Sequence, residues 1–457
     1  MAVFGATFRR IGKRGQPWLL ALGAVTLVAP AMLPAQAHAE QIALSPERAL
    51  RQEIGERLPK ELRGFYAARG NQPLWITDGG EISPAAKMLL EVLDSAELDG
   101  INPRKLKLAK IANAVRNADS SAAEDLAKAE IALSAGYVRY VLALRQAPRS
   151  AMIYETQALA PVVPTAAAAL GSLAAAPSTE DYIRTMGWMM PLYAPLRAAL
   201  ASGMLAADQA RVAELNLARM RAIPPIQSGR WVLIDANSAR LFMFDGANVV
   251  DTMKVVVGKR ESQTPEMAGF LRYAIVNPYW NMPDDLVPSR ITHKVMTKGP
   301  GYVPANRYEV LDGWEDDAAV LNPRKVNWQA VAAGRQAIRV RQLPGPGNFM
   351  GAVKFMFPNP QGIYLHDTPE RDLLAKSARQ FSNGCVRLDD AQGFGRWVLG
   401  KALPRSKTPE TRVELPTIVP LYITYLTAMP EQGRIAFRSD VYGRDGALGA
   451  SGFVMAR

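Results

Sequence analysis

The chain has 457 residues, with 54 Lys and Arg against 42 Asp and Glu, three histidines and a single cysteine. A formal charge of +12, scattered and without an arginine-rich arm or basic residues interleaved with aromatics, argues against nucleic-acid binding; it suits a solvated surface and tolerates an anionic envelope polymer. One cysteine forbids an internal disulfide, and so few histidines cannot build a His-rich zinc hydrolase.

Residues 1–39 read as a cleaved export signal. Arg9, Arg10, Lys13 and Arg14 form the positive start, an apolar run spans Trp18 to about Leu33, and Ala37-His38-Ala39 offers a small-x-small cleavage site. Pro30 and Pro34 argue against a permanent membrane helix. The chain is therefore expected in the periplasm, with its charge reduced to +8 once the leader's four basic residues are lost.

Residues 40–157 predict a helical domain. Asp125–Leu144 places apolar side chains at three- and four-residue spacing, and Asp99-Gly100 and Asn102-Pro103 read as turns. Residues 158–226 read as further helices of the same domain joined by an Ala/Pro-rich linker, with no clear period between Ala158 and Pro177.

Near Arg230 the period changes. Trp231–Asp235, Arg240–Phe244 and Val249–Val257 are short β-branched and aromatic runs separated by hairpin signals; Leu271–Val276, Ile338–Arg341, Lys354–Phe357 and Gly362–His366 follow as strands. Residues 227–406 thus predict a mainly β domain, making the whole chain α+β. It carries an irregular excursion at about 283–337, rich in Pro, Gly and charge, expected to be a surface lid. Glu370–Gln380 reads as helical, Asp389 or Asp390 as the cap of a helix to Leu399, and Ile418–Thr427 as a late strand. The segment 407–457 is expected to pack on either domain.

Chemistry concentrates at Cys385, in Phe381-Ser382-Asn383-Gly384-Cys385-Val386-Arg387. A free thiol is commonly a small buried apolar residue, yet a tight turn and an upstream histidine fit a nucleophile with its base. His366 ends an apolar strand, and the carbonyl or carboxylate of Asp367 is placed to orient its ring. The imidazole is expected to take the thiol proton and hold the thiolate as an ion pair. The amides of Asn383, Gly384 and Cys385 are candidates for an oxyanion hole, and Arg387 for binding a substrate carboxylate. His293 reads as a polar residue of the lid. No Gly-x-Ser-x-Gly elbow or HExxH spacing is present, and papain-like peptidases carry Cys before His, the reverse of the order here.

His366-Asp367-Thr368-Pro369 followed by Ser382-Asn383-Gly384-Cys385-Val386-Arg387 resembles the catalytic signature of the L,D-transpeptidases. So do Val257-Gly258-Lys259, Thr264-Pro265, Asn277-Pro278-Tyr279-Trp280-Asn281, Lys354–Asn359 and, in the helical part, Phe65–Arg69 with Pro73-Leu74-Trp75; all are similar to the large multidomain branch of that family. The resemblance implies a helical scaffold domain ahead of a lid-bearing catalytic domain. It implies attack by Cys385 on a tetrapeptide stem of peptidoglycan, loss of D-Ala, and transfer to a second stem as a 3→3 cross-link, with no metal or organic cofactor. Tyr279, Trp280, Phe355 and Met356 would line the groove, unless they are core residues. Asn383 stands where the family often has His or Ser. A cysteine carboxypeptidase or amidase using the same dyad, or an inactive envelope-binding protein, remains an alternative. Stem peptides are the implied partners, with other cell-wall synthesis proteins as further candidates and no nucleic acid.

Overall fold

A computed structural model of the chain describes residues 44–146, 151–313, 315 and 317–446. The expected leader and the last eleven residues of the C-terminal segment lie outside these. Among the described residues no helix is long and apolar enough to cross a membrane. The architecture is α+β, with helices from Pro46–Arg57 to Ala207–Met220 followed by a β-rich part beginning at Arg230.

Ala123–Arg145 is the central helix of the first part, 23 residues without an internal proline. Gly136 lies on its packed side, where an added Cβ would come within 2.5 Å of the Ile111 side chain. Glu130 and Ser134, one turn apart and both fully buried, face a loop rather than solvent. The Glu130 carboxylate accepts from the amides of Leu74 and Trp75 at 2.7 and 2.9 Å and from the Tyr66 hydroxyl, while Ser134 Oγ accepts from the Trp75 indole at 2.8 Å. A buried carboxylate tolerates such a place only when its lone pairs are filled, and here they organise the turn between two helices. Asp99 anchors a second polar knot: its carboxylate accepts from Tyr140 and Tyr193 hydroxyls at 2.7 and 2.8 Å and pairs with Arg197 at 2.9 Å.

The Ala/Pro-rich stretch departs from the expected linker. Ala166–Ala174 is a helix, capped by Thr165 Oγ1 accepting from the Ala168 amide at 3.1 Å, with Leu170 and Leu173 fully buried. A run of alanines hides its period because every position counts as apolar, yet alanine is the best helix former.

In the β-rich part, Arg230–Asp235, Arg240–Asp245 and Asn248–Gly258 form a meander. Met267–Val276 pairs with Val353–Met356, which pairs with Leu365–His366, then Val386–Leu388, then back to Asn248–Gly258. The 14-residue strand Thr411–Thr424 pairs with Arg230–Asp235 on one side and Met267–Val276 on the other, closing the sheet on itself. Closure removes the exposed strand edges that would invite aggregation. The C-terminal segment is thus partly a wall of the catalytic sheet rather than an appendage packed on it.

Alternation along the strands accounts for their unbroken apolar runs. Val232, Ile234, Leu241 and Met243 point into the sheet's own core, while Trp231, Leu233, Phe242 and Phe244 point outward into the helical core. A sheet covered on both faces reads as continuously hydrophobic. Trp231 and Phe244 stack at 4.0 Å on that outer face.

The excursion expected as an irregular lid is a small folded unit. Trp280–Asn281, Tyr308–Leu311, Val320–Leu321 and Arg339–Gln342 form a four-stranded sheet, and Met282, Ile291, Val303, Val310, Trp328 and Val340 close a separate core. Its short helices and two- to four-residue strands fall below the length at which periodicity is visible. Asn348, buried at the base, donates from Nδ2 to the carbonyls of Pro278, Gln342 and Leu343, so the unit's two connections are tied together.

Asp99→Asn leaves the Arg197 guanidinium buried without its counter-charge, and the helical part should lose about 3 kcal/mol. Urea unfolding followed by circular dichroism checks this; an unchanged midpoint would show that the pair contributes nothing.

Candidate functional site

The site is set by a short parallel pairing. Leu365 lies opposite Val386 and His366 opposite Arg387, and the Val386 amide donates to the Tyr364 carbonyl at 3.1 Å. Ile363, Leu365 and Val386 face the sheet's core. Strand alternation therefore sends Tyr364, His366, Cys385 and Arg387 to the opposite face together. On the other side of the histidine strand, Lys354 is the register partner of His366 and shares that face. The imidazole is flanked by a cation on each neighbouring strand.

Each cation is already paired. Arg387 bonds to the Glu370 carboxylate, and Lys354 Nζ lies 3.2 Å from Glu410 Oε1. One arm of the largely buried Arg387 guanidinium is held by Glu370 and its Nε has no hydrogen-bond partner, so the fork expected for a substrate carboxylate is already engaged on one side. The segment bearing Glu370 is not the expected long helix. Only Asp372–Ala375 is helical, since Pro369 and the strand at Gln380–Ser382 leave little length between them.

His366 is 2% exposed, and its Nδ1 meets the Asp367 carbonyl oxygen at 2.6 Å. A carbonyl only accepts, so Nδ1 carries the proton and Nε2 is left as the base. Burial, then the charges of Arg387 and Lys354, push the imidazole down to about 3 against the pull of that carbonyl. The Asp367 carboxylate faces away from this task, accepting from the Ala352 amide at 2.8 Å and from Arg371 at 2.9 Å.

Cys385 is half-buried, and its sulfur lies 3.7 Å from the Gly362 carbonyl as donor. Desolvation pushes the thiol up to about 11; the nearby amide and hydroxyl of Tyr364 and the charge of Arg387 work the other way. Tyr364 escaped the sequence reading. Its hydroxyl titrates well above the usual tyrosine range, chiefly through burial and then through the neighbouring Cys385, so it stays a donor. Its ring lies 5.7 Å from that of His366 and packs against the core of the inserted unit. The signal was present in Tyr364-Leu365-His366: two positions before the base on one strand is the same face.

Burial acts on both groups against the expected ion pair, lowering the imidazole and raising the thiol. Among the described contacts none joins the sulfur to His366; the sulfur's hydrogen-bond partner is the Gly362 carbonyl.

The turn before the nucleophile is built on Gly384, at φ +121°, a region open to glycine. The Ser382 hydroxyl accepts from the Gly384 amide at 3.1 Å and donates to the Cys385 carbonyl at 2.6 Å. The Gly384 amide, one of the three expected oxyanion donors, is therefore bonded within the turn. Asn383 is exposed and Ser382 buried.

The expected groove residues divide by strand parity. Phe355 is 1% exposed inside the sheet's core, edge-to-face with Phe394, and lines no groove. Met356, half-buried, shares the face of Lys354. Trp280 belongs to the core of the inserted unit against Phe349, with Arg290 across both rings. Tyr279 is half-buried beneath the Arg341 guanidinium at 4.2 Å. His293 is exposed on the helix His293–Lys298 of the inserted unit, as expected. No group of metal-binding side chains is found among the described residues.

Residues 229–415 match the family model of the L,D-transpeptidase catalytic domain, and residues 60–200 match that of the Scaffold domain. A Haemophilus influenzae protein bearing the name "Putative L,D-transpeptidase" is 30% identical over 241 residues, covering 50% of this chain and 47% of that relative. The chain thus spans about half the length of the curated relative it matches. Among solved structures, an L,D-transpeptidase from Mycobacterium smegmatis covers 42% of this chain and 58% of its own at 12% identity and a TM-score of 0.22. An LD transpeptidase in complex with imipenem gives 11% identity, the same coverages and 0.21. Scores of that size bear no weight for the fold.

With a thiol raised to about 11, alkylation of Cys385 by iodoacetamide should climb steadily through neutral into alkaline pH. A plateau between pH 6 and 8 would mean a preformed ion pair instead. Arg387→Gln removes a charge that lowers the His366 pKa, so the acid limb of the acylation rate should move to higher pH; a pH–rate profile with that limb unmoved would refute the coupling.

Proposed function

From a chain that carries an L,D-transpeptidase catalytic domain behind a scaffold domain, we propose an enzyme that transfers peptidoglycan stem peptides through a Cys385 thioester. The observation that carries this reading is the register that sends Cys385 and His366 to one face of adjacent strands, with Nε2 as the free imidazole nitrogen.

His366 Nε2 takes the Cys385 proton as the sulfur attacks the carbonyl joining the third stem residue to D-Ala. Oxygen gains negative charge, within reach of the amides of Asn383 and Cys385. Collapse breaks the C–N bond, and the imidazolium returns its proton to the departing D-Ala amine. A side-chain amine of a second stem then attacks the thioester, passes a proton to His366 and releases the thiol, leaving a 3→3 cross-link. The Tyr364 hydroxyl, on the same face as the sulfur, pulls the thiol pKa down and so favours the thiolate that both steps pass through. Water in place of the amine would give a tripeptide, the carboxypeptidase outcome; the inserted unit, packed on Tyr364, is placed to govern which nucleophile enters. Action in the periplasm follows if residues 1–39 are removed as an export signal.

Residues 40–457 incubated with a disaccharide-tetrapeptide should yield a cross-linked dimer lacking one D-Ala by mass spectrometry, and Cys385→Ala should yield none. Tripeptide alone would replace transfer by hydrolysis, and product from Cys385→Ala would refute the nucleophile. His366→Ala should lower kcat by about 10²–10⁴, with the fold retained by circular dichroism.

A further inference from the structure

Two motifs have no part in the chemistry above: Val257-Gly258-Lys259 and Thr264-Pro265, on the loop between the strands Asn248–Gly258 and Met267–Val276. Thr264 is fully buried. Its hydroxyl accepts from the Gly258 amide at 2.8 Å and donates to the Gly384 carbonyl at 2.7 Å. The loop closes so tightly that a Cβ on Gly258 would fall 2.1 Å from the Ser262 carbonyl oxygen.

Gly384 carries the carbonyl of the peptide bond whose nitrogen belongs to Cys385. In a trans peptide, C=O and N–H point in opposite directions. Holding the Gly384 carbonyl inward on Thr264 therefore turns the Cys385 N–H outward, and no protein group among the described residues accepts from it. A donor kept unfilled and fixed before charge develops is what an oxyanion hole requires.

The loop is itself held from behind. The Arg444 guanidinium donates to the Thr264 carbonyl at 3.0 Å and Gln263 Oε1 at 3.0 Å, and reaches Glu266 at 3.3 Å. It lies over the rings of Tyr425 and Tyr442, at 5.0 and 4.9 Å, which stack on each other. Next in the chain, Asp445 pairs with Arg219 at 2.6 Å, on the last turn of the helix Ala207–Met220. Asp440 Oδ1 accepts from the Tyr425 hydroxyl at 2.6 Å and the Arg444 amide at 2.9 Å, and its Oδ2 accepts from the Asp445 amide at 2.8 Å, fixing this strap in one turn.

We propose that Thr264 is a positioning residue that aims the Cys385 amide at the developing oxyanion, and that the strap Asp440–Asp445 holds it there against the helix Ala207–Met220. The inference rests on the reading of Cys385 as an acyl-accepting nucleophile, but not on which stem peptide it uses.

Two reagents separate aiming from simple integrity. p-Nitrophenyl acetate acylates the sulfur through a tetrahedral oxyanion and expels p-nitrophenolate; iodoacetamide alkylates it by displacing iodide, with no oxyanion. Both rates are followed at one neutral pH by mass spectrometry of the Cys385 peptide, with Cys385→Ala as blank. Neither reagent resembles a stem, so failure to cross-link stems leaves this comparison intact. Thr264→Val should lower acylation roughly 100-fold while alkylation stays within about twofold, and Thr264→Ser should restore acylation. Parallel loss of both rates, or acylation unchanged in Thr264→Val, overturns the proposal. Should Thr264→Val not fold, Arg444→Met decides: a selective loss of acylation, of about fivefold or more against constant alkylation, supports the strap, and unchanged or parallel rates overturn it.

Discussion

Parallel pairing over two residues, Leu365 with Val386 and His366 with Arg387, is the constraint from which the rest of the site follows. Side chains alternate along a strand, so a slip by one residue would bury His366 in the core and turn Leu365 to the site. That register is enforced by the inward row of Ile363, Leu365, Val386 and Leu388, which could not be exposed without giving up a large part of the sheet's core. The hydrophobic effect thus aims a polar dyad that makes no direct bond of its own at rest.

Electrostatics then sets what the aimed groups are. His366 sits between Lys354 and Arg387, each matched by a carboxylate on its far side. The pairs keep two buried cations tolerable while their charge still opposes protonation of the ring. Burial and these charges lower the imidazole, and burial raises the thiol, so both shifts favour a neutral pair.

The helical part and the β-rich part are not independent bodies around this site. Outward-facing Trp231, Phe244 and Tyr422 belong to the helical core, while their strand neighbours belong to the catalytic core. The strand Thr411–Thr424 closes the sheet, and the chain beyond it returns through Arg444 and Asp445 to both the loop beneath Cys385 and the helix Ala207–Met220.

The sequence by itself determined the order of the parts and the chemistry to be expected of them. A lone cysteine on a glycine turn, a histidine ending an apolar strand, the change of period near Arg230 and the 23-residue helix are local patterns, and local patterns survive in one dimension. What needed the tertiary structure was anything decided by a partner distant in the chain. Which of Phe355 and Met356 faces the site depends on strand parity against Val276 and His366. Arg387 looked free because Glu370 lies seventeen residues away on an irregular segment. The inserted unit looked like a loop because strands of two to four residues carry no period, and only its enclosed core reveals it. The Gly384 amide looked like an oxyanion donor until Ser382 took it, whereas Thr264, 120 residues upstream, aims the amide that remains. Hydrogen bonds and packing of that range are set by the closed sheet, and no window along the chain contains them.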